Sequence, residues 1–159
     1  MIFTKALPYS EIKQYLDKND VITIIGCQSC VRASGCGGEA KMKELALKLR
    51  KDGYNVKDGF MVPSSCTPKV LFAKLGKNIN TIISLACSAG MSNIQRYFAT
   101  YKIVATTIDI GLMVSDSDQK VLKVTMPYQE YRNEQGKEYG LCTGEKMNSP
   151  KLLVMEAKK

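Results

Sequence analysis

The run Val21, Ile22, Thr23, Ile24, Ile25 is β-branched at every position and carries no polar alternation. A strand that reads this way has both faces covered, as happens inside a parallel sheet flanked by helices. Thr81 to Ala86 repeats the pattern, and Asn55 to Val62 and Lys102 to Ile108 read as further strands. Helical periodicity lies between them. From Glu39 to Lys51 the residues Met42, Leu45, Ala46 and Leu49 share one face, with Gly37 and Gly38 in front and Gly53 as the stop. Ser10 to Asp17 predicts a short helix capped by Ser10. Thr67 with Pro68 predicts a helix start leading through Leu71, Phe72 and Leu75, and Met91 to Thr100 predicts a helix carrying Ile94, Tyr97 and Phe98. Strands alternating with helices imply right-handed crossovers, so the expected fold is α/β: a doubly wound, mostly parallel sheet of Rossmann-like or flavodoxin-like type.

A chain of 159 residues with 45% hydrophobic content is the size of one domain, and a single α/β domain over residues 1–159 is expected. After Leu112 the pattern changes. SDSDQ predicts a turn, Val121 to Met126 a strand, EYRNEQGKEYG a polar hairpin connection, and KLLVMEAKK a strand or tail. Residues 1–112 therefore read as the core and 113–159 as an appendage. The apolar runs are far shorter than the roughly 20 residues a membrane span needs, and the first residues lack the apolar stretch of a secretory signal. A cytoplasmic location is expected, where cysteines stay reduced. The net charge of +8 comes from 23 basic against 15 acidic residues spread along the chain, without tryptophan. No nucleic-acid recognition signature accompanies it, so the basic surface suits solvation or the steering of an acidic partner.

Five of the six cysteines fall where predicted strands run out: Cys27, Cys30 and Cys36 in GCQSCVRASGCGGE, Cys66 after GFMVPSS, and Cys87 after TIISLA. In open parallel sheets ligands bind beyond the carboxyl ends of the strands, so these loops share one rim. The chain contains no histidine, so a soft-metal site must be built from sulfur. That narrows the metal to zinc or an iron-sulfur cluster. Taken singly, Cys87 suits apolar filling after a buried strand, whereas Cys66 lies in a polar loop. Cys36 precedes a helix start, where backbone amides favour thiolate. Cys142, in GLCTGEK, reads as a surface thiol.

Cys27 and Cys30 form the only CxxC pair, and a closed four-cysteine zinc site usually takes two. One pair plus thiols arriving singly suits a [4Fe-4S] cluster better, with zinc as the alternative. A metal-free thiol redox pair at Cys27 and Cys30 is the other reading, although a thioredoxin pair opens its helix and here Cys36, Gly37 and Gly38 intervene. No Ser-His or Cys-His arrangement, P-loop or dinucleotide fingerprint is present. Asp109 after a strand and Glu39 at a helix start read as capping or solvated carboxylates.

The stretch EIKQYLDKNDVITIIGCQSCVRASGCGGEAKMKELALKLR, then SSC, then IISLACSAGM, resembles the methylenetetrahydrofolate reductase C-terminal domain family over roughly residues 10–112. Its members include the small iron-sulfur accessory subunit of anaerobic methylenetetrahydrofolate reductases. The resemblance implies an iron-sulfur subunit, itself non-catalytic, relaying electrons beside a flavin-containing reductase subunit in one-carbon metabolism. Cys27, Cys30, Cys66 and Cys87 match the family's cysteine positions. Ser34 stands where the family commonly has a further loop cysteine, with Cys36 two residues later, and Cys142 alone remains of a cysteine-rich tail. One cluster, held among Cys27, Cys30, Cys36, Cys66 and Cys87, is the expectation.

Overall fold

The structure, a computed structural model, describes residues 1–69, 71 and 74–148. In chain order these form β1 (Ile2–Ala6), α1 (Tyr9–Gln14), β2 (Val21–Cys27), α2 (Cys30–Ala33), α3 (Glu39–Lys51), β3 (Asn55–Val62), β4 (Thr81–Leu85), α4 (Ser88–Tyr97), β5 (Lys102–Ala105), β6 (Thr107–Asp116), β7 (Val121–Pro127), a 3₁₀ turn (Gln129–Glu134) and β8 (Glu138–Gly140). The strands make two sheets rather than one. A parallel sheet has the order β3-β2-β4-β5, and a curled antiparallel sheet has the order β1-β6-β7-β8.

The parallel sheet is the part that the β-branched runs announce. On one face Ile22, Ile24, Ile83, Leu85 and Val104 pack with Ile12 of α1 and Leu49 of α3. On the other, Ile25, Cys27 and Ile82 pack with Val31, Leu71 and with Ile94 and Phe98 on and after α4. Strands covered twice need no polar side, which is why their sequences do not alternate.

The expectation of a doubly wound, Rossmann-like or flavodoxin-like fold is corrected by the second sheet. Its strands pair antiparallel, and β6 and β7 are joined by a tight turn instead of a helical crossover. At the β6–β7 turn, Asp116 Oδ1 accepts the N–H groups of Asp118 and Gln119 at 2.9 and 3.0 Å, and Lys120 takes a positive φ of 55°. The first residues, unassigned from sequence, pair with β6 from Ile2↔Leu112 to Ala6↔Thr107, with a bulge after Phe3. Residues after Leu112 add to this second sheet. Phe3, Ile110, Met113, Leu122, Val124 and Tyr139 form their own buried cluster, and the Phe3 and Tyr139 rings lie 4.6 Å apart.

Three boundaries shift for local reasons. Helix α1 starts at Tyr9 behind Pro8 and stops at Gln14. Beyond it the Asp17 N–H donates to Asp20 Oδ2 at 2.7 Å and the Asn19 N–H to Asp17 Oδ1 at 2.9 Å, a competing arrangement that ends helices. The helix expected after Pro68 does not form among the described residues, because Lys69 sits at φ 69° and donates its N–H to the Tyr97 hydroxyl at 2.8 Å. Val70, Phe72 and Ala73 lie outside the described residues, as does KLLVMEAKK. Helix α4 begins at Ser88 instead of Met91, for a reason that belongs to the site. No helix among the described residues is long and apolar enough to cross a membrane.

Candidate metal centre

All strands of the first sheet are parallel and adjacent in the order β3, β2, β4, so their carboxyl ends lie side by side on one rim. Cys66 follows β3, Cys27 ends β2 with Cys30 opening α2 just beyond, and Cys87 stands between β4 and α4. All six cysteines are free, with Cys27 and Cys87 buried, Cys30 and Cys36 half-buried, and Cys66 and Cys142 exposed.

The two sheets meet over this rim. The β1 backbone reaches the Cys30 loop, where Ile2 N–H donates to Cys30 Sγ at 3.4 Å and Thr4 N–H donates to Ser34 Oγ at 3.1 Å. From the far end of the chain, Cys142 N–H donates to the Ala33 carbonyl at 2.8 Å. Gly35 takes φ +80°, and a Cβ there would lie 2.3 Å from the Thr143 carbonyl carbon, so the loop and the 142–144 segment press backbone to backbone.

Cys30 and Cys87 come together. The Cys87 thiol lies beside the Cys30 sulfur and draws Cys30 down from 9.0 to about 5. Burial opposes the shift, and the Ile2 N–H and the Ser29 hydroxyl assist it. The same contact and burial push Cys87 up, so the pair shares one proton with the thiolate on Cys30. Gly90 lies in the first turn of α4, just beyond Cys87. Its α-carbon is packed so closely on the Ser64–Cys66 loop that a Cβ would lie 2.1 Å from Ser65 Oγ.

The remaining sulfurs have other partners. Cys27 accepts the Ser65 N–H at 3.4 Å from within the core cluster that also contains Cys87. Cys66 Sγ lies 3.3 Å from Ser64 Oγ. Cys36 turns towards β1, with its sulfur 2.9 Å from Thr4 Oγ1, and burial raises its pKa.

Two groups that the sequence did not assign to the site border it. Asp109 of β6, expected to be a cap or a solvated residue, does cap: it accepts Ser88 N–H at 3.1 and 3.3 Å and Ser88 Oγ–H at 2.5 Å. This carboxylate, supplied by the second sheet, is why α4 starts three residues early. Tyr128 is raised by burial and then by the charge of Asp109. Glu39, the other carboxylate considered, pairs with Lys43 at 2.8 Å on the exposed side of α3.

The donor set bears on which metal fits. A single zinc ion needs its ligands gathered about one point, each roughly 2.3 Å from the metal. Among the described residues no three Cys, Asp or Glu side chains are grouped to hold one ion. A cubane takes one thiolate on each of its irons, so its ligands surround a body instead of a point. Thiols on three neighbouring strand ends, with backbone N–H groups of Ile2 and Ser65 donating to sulfur, suit that second requirement. Comparison with protein-family models, curated proteins and solved structures returns no match.

Proposed function

We propose that the chain is an iron-sulfur protein that carries electrons, an accessory component of a larger oxidoreductase. Cys27, Cys30, Cys66 and Cys87 are the proposed ligands, and Cys36 is a neighbouring thiol held by Thr4. The observation that supports this most is the position of Cys66, Cys27 and Cys87 at adjacent carboxyl ends of β3, β2 and β4, with Cys30 against Cys87. When bound, the cluster supplies one-electron redox chemistry. The chain's own residues orient the sulfurs by backbone N–H donation and cover the rim with β1 and the 142–144 segment. A flavin-containing reductase subunit of one-carbon metabolism is the proposed partner, on the strength of the cysteine motif alone, and a cytoplasmic location is proposed with it.

Anaerobic reconstitution with iron and sulfide tests this reading. Four irons and four acid-labile sulfides per chain, lost on replacing Cys30 or Cys87 by serine and retained in the Cys142→Ser variant, are expected. Stoichiometric zinc without sulfide would refute it. The second reading, a metal-free dithiol, is favoured by the direct Cys30–Cys87 contact, and it moves the redox pair from Cys27 with Cys30 to Cys30 with Cys87. It requires a Cys30–Cys87 disulfide on mild oxidation of protein that takes up no iron, detectable by peptide mapping.

A further inference from the structure

On the side of the parallel sheet opposite α4, a cavity of about 190 Å³ opens between α1, α3 and the end of β4. Its inner wall is Leu7, Ile12, Leu45 and Leu85, and Ile12 and Leu85 are 5% and 3% exposed. The polar groups that reach this depth are already occupied. Thr106 Oγ1 donates to the Ser84 carbonyl at 2.9 Å, and the Cys36 sulfur is engaged by Thr4. The interior therefore offers no partner to a charged or strongly polar ligand group.

The mouth is different. Lys41 and Lys48 stand two turns apart on α3, so both face the opening. Lys41 is matched by Glu44 at 3.2 Å. Lys48 has no carboxylate partner among the described residues; its ammonium sits 4.3 Å from the centre of the Tyr9 ring, and Lys13 approaches the same ring at 4.9 Å. An apolar bore with an unmatched cation at its lip is complementary to a molecule with an aliphatic body and one terminal anion.

We propose that this cavity is a binding site for a short-chain aliphatic monocarboxylate, its chain against Ile12, Leu45 and Leu85 and its carboxylate at Lys48. The volume lies below the roughly 300 Å³ at which drug-sized pockets begin, which sets a short chain. Gly35 and Cys36 form part of the wall, so occupancy touches the loop that carries Cys30. The site is independent of the proposed metal centre, and its test does not require a cluster.

Titration of the full chain with hexanoate, followed by calorimetry and by methyl NMR, decides the matter. Saturable millimolar or tighter binding is expected, with shifts confined to Leu7, Ile12, Leu45 and Leu85. Butyrate, two methylenes shorter, should bind about tenfold more weakly. Lys48→Gln should cost about fivefold, as for a partly exposed charge contact. Ala6→Phe, a change at an exposed lining residue, should abolish binding while leaving the thermal melt in place. Equal binding of hexylammonium, unchanged affinity in Lys48→Gln, shifts elsewhere in the molecule, or no saturation would each overturn the assignment.

Discussion

The Cys30–Cys87 contact makes a quantitative prediction for the metal-free protein. With a pKa of about 5, Cys30 is about 90% thiolate at pH 6, where a thiol at 9.0 is about 0.1% thiolate, a gain of about 900-fold in the reactive form. Intrinsic nucleophilicity falls as the pKa falls, and a Brønsted slope of 0.4–0.5 over about four units takes back roughly 40- to 100-fold. Cys30 should therefore react with an aromatic disulfide about 10- to 20-fold faster than an ordinary thiol at pH 6 and more slowly than one at pH 8, the crossover lying near neutrality. The signature is the shape of the profile: a rate that levels off above about pH 6 and halves near pH 5. Stopped-flow measurement in a Cys66→Ser, Cys142→Ser background removes the two exposed thiols. Because the Cys87 thiol is the largest cause of the shift, Cys87→Ala should move the midpoint upward towards the ordinary thiol range. A fast thiol titrating near 8 to 9, or a midpoint unmoved by Cys87→Ala, would refute the pairing.

Gly90→Ala should destabilise the protein by up to about 2 kcal/mol, an overpacking cost of about 1–3 offset by about 1 from helix preference, because its Cβ would meet Ser65 Oγ at 2.1 Å and Ala86 Cβ at 2.9 Å. Ser65 Oγ is buried without a partner, so Ser65→Ala should be near neutral alone and recover part of the loss in the double variant, the Ala86 contact remaining. Urea denaturation of the four-member cycle measures the coupling, and independent effects would contradict the packing. Glu134 accepts from the Tyr139 hydroxyl and sits 3.3 and 3.1 Å from Lys5 and Lys137, contacts that hold its carboxyl below the usual range against burial. A depressed carboxylate contributes stability above its unfolded pKa of about 4.3 and loses it as pH falls through the folded value. Glu134→Gln should therefore cost about 1–3 kcal/mol at pH 7, and the two proteins should converge as the solution is acidified below pH 4. A gap that persists at pH 3 would show that the contribution is not electrostatic.

The parallel sheet was legible because burial on two faces leaves a one-dimensional trace. Val21–Ile25 and Thr81–Leu85 have no polar side to hide, and helix α3 matches its expected span from Glu39 to Lys51. The antiparallel sheet leaves a blurred trace. Its outer face carries Ile108, Leu112, Val114 and Met126 at 40%, 41%, 49% and 65% exposure, so apolar residues appear on both sides of β6 and β7 and the period of two is lost. Lys102 to Ile108 consequently read as one strand, although the chain changes sheets at Thr106, whose hydroxyl is tied to Ser84. The pairing of β1 with β6 joins residues more than a hundred positions apart, and no local pattern in IFTKA encodes it.

The site divides along the same line. Placing Cys27, Cys66 and Cys87 on one rim required only that β2, β3 and β4 be parallel neighbours, which the sequence pattern could suggest. Deciding which sulfurs touch required the second sheet. The Ile2 N–H fixes Cys30, the Thr4 hydroxyl draws Cys36 away, and Asp109 sets the start of α4 and so the position of Cys87. Each of these groups comes from β1 or β6, whose pairing is long-range. Cys27 closes a strand within the core cluster, while Cys30 opens the next element beside a thiol 57 positions further along. Adjacency in sequence fixed only the loop; the partner was fixed by β4 lying next to β2.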